Sequence, residues 1–122
     1  MLLTLSLLTV LNVAAADSIP GVWQVKGDVQ GNPIDEVCTV KQVGSVLSGS
    51  CIMGGSAKVD LTGEMKDGKI TFQHGGDYEG QALTIIYSGT LASPKEIKGT
   101  VLVQPFGVDG VFTATPKAEP AG

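Results

Sequence analysis

Arginine is absent from this chain, whose 8 basic residues are all lysines set against 12 acids, for a net charge of −4 at pH 7. Without arginine there is no planar fork to grip a phosphate or a guanine edge at two points. A negative surface also repels a nucleic acid backbone or an anionic membrane, so neither is expected as a partner. Histidine occurs once, at His74, and cysteine twice, at Cys38 and Cys51. A structural metal site commonly takes four nitrogen or sulfur ligands, so no metal is assigned. No glycine sits in a strand-to-helix turn, which removes the phosphate-cradling loop and leaves no cofactor to expect. Apolar residues at helical spacing are missing as well.

Long apolar runs are missing with one exception. Met1 to Ala16 carries no charge, is almost wholly apolar, and ends in Ala14-Ala15-Ala16 before Asp17. That is the small-residue pattern of a signal peptidase site, and the run is shorter than the roughly 20 residues of a membrane helix. The expectation is a signal peptide over 1–16, a secreted or periplasmic mature chain, and no membrane contact after cleavage. The remainder has the length of one domain, placed at 17–115. The segment 116–122, rich in proline and alanine, is expected to be a disordered tail.

What the chain does have is glycine in a recurring phrase. Leu47-Ser48-Gly49-Ser50, Leu61-Thr62-Gly63-Glu64, Ser88-Gly89-Thr90-Leu91, Ile97-Lys98-Gly99-Thr100 and Gly110-Val111-Phe112-Thr113-Ala114 each set a glycine among alternating apolar and polar residues. Period-2 alternation predicts eight strands: Val22–Lys26, Glu36–Val43, Val46–Met53, Ala57–Met65, Lys69–His74, Ala82–Leu91, Glu96–Gln104 and Gly110–Thr115. Parity puts Ala57, Val59, Leu61, Gly63 and Met65 on the inner face, and Ile97, Gly99, Val101 and Val103 likewise. The recurring glycines fall inward, where they let strands coil sharply at barrel corners. The fold expected is all-β, an eight-stranded antiparallel up-and-down β-barrel.

The cysteines test the register. With Gly44-Ser45 as a two-residue loop, Val43 opposes Val46, Val40 opposes Gly49, and Cys38 opposes Cys51. Alternating outward from the loop, Cys38 and Cys51 occupy a non-hydrogen-bonded site, where strands approach closest. In an exported chain such a pair oxidises to a disulfide.

Gly21-Val22-Trp23 followed by Gly27 resembles the first strand of avidin and streptavidin-type proteins. Leu47-Ser48-Gly49-Ser50 and Leu61-Thr62-Gly63 resemble that family's third and fourth strands. The likeness spans Gly21–Met65 and implies the barrel. A Gly-x-Trp is also a lipocalin feature, which implies that Trp23 plugs a closed end. The family's biotin-binding residues do not carry over: its Asn is here Val25, its Ser is Asp28, its Tyr is Cys51, and its later tryptophans are absent. Losing buried hydrogen-bond partners costs affinity steeply, so the resemblance argues against biotin.

Alternating connections place turns 44–45, 66–69 and 92–95 at one end. The connections 27–35, 54–56, 75–81 and 105–109 lie at the other, where longer loops suggest an open mouth. The candidate ligand-binding residues are Val25, Met53, Phe72, His74, Leu83, Ile85, Tyr87, Val103 and Phe106. The segment His74–Gly80 reads as a flexible glycine-rich loop with solvated acids. No catalytic pattern stands out, so no catalytic residue is assigned. The leading expectation is an exported binding module for a small apolar or amphipathic molecule at the long-loop end. One alternative is an interaction protein, such as a periplasmic protease inhibitor acting through the tail Asp17-Ser18-Ile19-Pro20. Another is a small barrel isomerase or cyclase using His74 or Tyr87, although the sequence shows no activating partner for either.

Overall fold

A computed structural model describes residues 18–54 and 57–117, and among them there are eight strands and no helix. They run β1 (Gly21–Val29), β2 (Asn32–Val43), β3 (Val46–Met53), β4 (Val59–Lys66), β5 (Lys69–Tyr78), β6 (Gln81–Ser93), β7 (Glu96–Gln104) and β8 (Val108–Pro116). Each pairs antiparallel with the next, and β8 pairs with β1 to close the barrel. The β2–β3 register sets Cys38 against Cys51 and Val43 against Val46, and the two cysteines form a disulfide with Cα atoms 4.0 Å apart. The expected signal peptide lies outside the described residues, as does the tail from 118 onward. Pro116, expected to begin that tail, instead ends β8 opposite Trp23, and the Lys117 N–H donates to the Val22 carbonyl at 2.8 Å.

Several strands are longer than their alternation indicates. The expected loops 27–35 and 75–81 are mostly strand, each reduced to a two-residue turn at Gln30-Gly31 and Glu79-Gly80. The physical reason is backbone conformation. Gln30 and Gly31 have φ of 52° and 88°, and Glu79 and Gly80 have 51° and 86°. Asp67 and Gly68 repeat the pattern at 53° and 77°. Two successive positive φ values define the hairpin turn whose twist matches that of its flanking strands. A glutamine or glutamate fills the first turn position where asparagine or aspartate is usual, so the sequence signal is muted. His74–Gly80 is therefore not a flexible loop: β5 carries the ladder through Tyr78, paired with Gln81.

The recurring glycines mark close strand approach. Gly89 and Gly99 face each other across β6 and β7, and a Cβ on Gly99 would overlap the Ser88 carbonyl and the Gly89 Cα. Gly49 has φ of 154°, and a Cβ there would strike the Thr39 carbonyl. The space left inside is taken by rings. Phe112 is registered opposite Gly99 on one side and Gly27 on the other, and Phe72 opposite Gly63. Tyr87 stacks on Phe72 with centroids 4.5 Å apart, and Phe112 meets Tyr87 edge-on at 5.0 Å. Burying each such ring stabilises the barrel by roughly 2–3 kcal/mol.

Around Trp23 the barrel is filled. Trp23, Val25, Leu47, Leu61, Ile70, Phe72 and Ile97 surround a void of only about 10 Å³. Ile19 is 3% exposed and joins this packing. Its N–H donates to Gln42 Oε1, and its carbonyl accepts the Trp23 indole N–H, both at 2.8 Å. Trp23 thus plugs this end as expected of a Gly-x-Trp strand. Ile19, by contrast, is not free to be presented to a protease.

Candidate functional site

The other end of the barrel is open. The hairpins β1–β2 and β5–β6 extend past their neighbours, with strands of 12, 10 and 13 residues in β2, β5 and β6 against 8 in β3 and β4. They wall a cavity of about 630 Å³. It opens at the end where long loops were expected, but strand length rather than loop length builds it. Its walls include Val29, Ile34, Met53, Leu83, Ile85, Val103, Phe106 and Val108. At the rim Tyr78 and Phe106 pack edge to face with centroids 6.1 Å apart. The floor carries Glu36 and Tyr87.

That floor is a buried polar network. Glu36 is 2% exposed, His74 3% and Tyr87 0%. The Tyr87 hydroxyl donates to Glu36 Oε2 at 2.8 Å, and His74 Nε2 lies 2.7 Å from Glu36 Oε1. His74 Nδ1 is 2.7 Å from the Gly75 carbonyl, which can only accept, so Nδ1 carries a proton. Both ring nitrogens therefore face acceptors, as an imidazolium requires. Burial, the largest single influence, pulls the His74 pKa down, but the hydrogen bond and charge of Glu36, with the Gly75 carbonyl, outweigh it and leave it raised above 6.5. Tyr87 is held in its neutral form, first by burial and then by the adjacent Glu36 charge. Glu36 Oε1 also touches Cys38 Sγ at 3.4 Å, where a disulfide sulfur has no proton to give.

No protein-family model matches this chain, and no curated protein matches it. Among solved structures it is similar to the redesigned β barrel b11L5F_LGL, at 13% identity and a TM-score of 0.62, over 81% of this chain and 91% of that one. It is also similar to EF1p2_mFAP2b bound to DFHBI, at 12% identity and a TM-score of 0.58, over 80% and 93%. The redesigned β barrel mFAP1 bound to DFHBI follows at 13% identity and 0.55, over 79% and 93%. At such identity the likeness is one of fold.

Six of the nine candidate residues meet at the cavity: Met53, Leu83, Ile85, Tyr87, Val103 and Phe106. Three do not. Val25 and Phe72 belong to the filled part of the barrel around Trp23, and His74 is held behind Glu36. Inward parity is right for all three, but parity along a strand does not say how deep the filled part reaches. Glu36 was missed, although Cys38 and Val40 are inward on the same strand and two-residue spacing places Glu36 with them. The partner of both His74 and Tyr87 was thus present in the alternation. Glutamate is rarely inside a barrel, and hydropathy does not flag it.

Proposed function

We propose that this protein is a binding module for a small apolar or amphipathic molecule seated in the open half of the barrel. The observation that carries the reading is the cavity of about 630 Å³ above an otherwise filled core. Ligand pockets typically have about 300–1,000 Å³, apolar walls and a few convergent polar groups. The Glu36–Tyr87 floor supplies those groups. The two similar barrels bound to DFHBI support the reading, since barrels of this architecture hold a ligand. Export is part of the proposal. It rests on the apolar run Met1–Ala16 and on the Cys38–Cys51 disulfide, which belongs in an oxidising compartment. The avidin-type likeness rests on Gly21-Val22-Trp23 and the Leu-x-Gly phrases. With Val25, Asp28 and Cys51 at the biotin positions, biotin is not the ligand proposed.

The test is saturable enhancement of the fluorescence of N-phenyl-1-naphthylamine, a neutral apolar probe, by the purified barrel. Filling the cavity with Ile85→Trp should abolish it. No saturable binding, or binding indifferent to that substitution, would refute the proposal. A second reading, a small isomerase or cyclase, gains one observation: Glu36 is the hydrogen-bonding partner that His74 and Tyr87 lacked in the sequence. Turnover of a copurifying ligand, lost in Tyr87→Phe while binding persists, would select it.

A further inference from the structure

We propose that the ligand leads into the cavity with a hydrogen-bond donor, a hydroxyl or an amine, and that carboxylate-headed amphiphiles are rejected. This rests on the binding reading above and specifies the head group that the site takes.

The floor offers acceptors. A carboxylate has about four lone-pair sites, and His74 Nε2 and the Tyr87 hydroxyl occupy one on each Glu36 oxygen. The Tyr87 proton is committed to Glu36 Oε2, and its oxygen lies 3.4 Å from His74 Nε2, so this hydroxyl has no donor left for a ligand. Among the described residues lining the cavity there is no lysine and no histidine. The cation that balances Glu36, His74, is on the carboxylate and not on the cavity wall. The side-chain amides of Gln30 and Asn32 stand at the rim, above the floor, and each commits one of its two N–H donors, to the Asp109 and the Val29 carbonyl at 3.1 Å.

An anionic head reaching the floor would therefore meet a carboxylate and a spent hydroxyl, with no cation and no free donor to replace its water. Unpaired buried charge is among the costliest arrangements in a protein. A hydroxyl or an amine finds at the same place the lone pairs of Glu36 that His74 and Tyr87 leave unused, and its apolar body lies along Leu83, Ile85 and Val103. Charge-assisted hydrogen bonds of this kind are the stronger class. The net charge of −4 opposes approach of an anion from solution in the same sense.

The experiment displaces N-phenyl-1-naphthylamine from the wild-type protein at neutral pH with four compounds of one chain length: 1-decanol, decylamine, decanoate and decyl methyl ether. Decanol and decylamine should displace the probe at concentrations about tenfold lower than decanoate or the ether, the scale of one hydrogen bond to a charged group. Glu36→Gln, which removes the charge and adds an amide donor, should bring decanoate close to decanol. Decanoate binding as well as decanol, or the ether binding as well as decanol, would overturn the head-group assignment while leaving a functioning pocket. Absence of probe binding would instead remove the pocket reading itself. The wild-type series decides the matter even if Glu36→Gln does not fold.

Discussion

Replacing Tyr87 with phenylalanine removes one hydroxyl and leaves the ring. The stack on Phe72 at 4.5 Å and the edge contact with Phe112 at 5.0 Å survive, so no large cavity opens. What is lost is the 2.8 Å hydrogen bond to Glu36 Oε2, inside a barrel where Glu36 is 2% exposed. A hydrogen bond to a charged group contributes about 1.5–3 kcal/mol, and the acceptor left behind is buried. The expected loss is therefore about 2 kcal/mol. For a domain of this size that corresponds to roughly 8–16 °C in Tm. Urea denaturation read by Trp23 fluorescence is the assay, since this is the only tryptophan and it sits in the filled part of the barrel. The denaturant slope should not change, because almost no apolar surface is altered. Tyr78→Phe, at the exposed rim, serves as the control and should cost less than about 0.5 kcal/mol. A loss below about 0.5 kcal/mol in Tyr87→Phe would refute the reasoning. It would mean that water entering from the cavity replaces the hydroxyl at no cost and that the network does not hold the floor.

Four further outcomes follow from the same geometry. The Cys38–Cys51 bridge spans 13 residues, so Cys38→Ala with Cys51→Ala should cost about 3 kcal/mol in urea melts, and equal midpoints for variant and wild type would refute this. Gly99→Ala forces a Cβ into the Ser88 carbonyl and should cost about 3 kcal/mol or more. Gly75→Ala, whose nearest neighbour is the Leu83 carbonyl at 3.8 Å, should stay within about 0.5 kcal/mol in the same assay. The pKa of His74 is raised on folding, so its ion pair stabilises the barrel fully below pH 6.5 and that contribution fades as pH climbs through the folded value. The urea midpoint should therefore fall as pH rises above 6.5, and a flat or rising midpoint would contradict the ion pair.

Most of the barrel is legible in the amino-acid sequence. Alternation is a local signal of period two, and it gave the strand count, the inner face and the inward glycines. The Cys38–Cys51 pairing fixed one register through chain geometry alone. The limits of the strands were less legible. Gln30-Gly31 and Glu79-Gly80 make the same positive-φ turn as Asp67-Gly68, with side chains that do not announce it. The candidate site was half legible. Parity found Leu83, Ile85 and Tyr87 at the cavity, yet it also nominated Val25 and Phe72, which the filled core claims.

The sequence by itself determined that the chain forms a closed antiparallel barrel with small residues at its corners and a bridged hairpin, because these depend on neighbours two residues apart or across one tight turn. Only the tertiary structure decided what the barrel contains. Glu36, His74 and Tyr87 come from three different strands, and their network exists because closure brings β2, β5 and β6 around one axis. The depth of the aromatic packing, and so the cavity above it, depends on how rings from separate strands share one interior, a condition that no local pattern encodes.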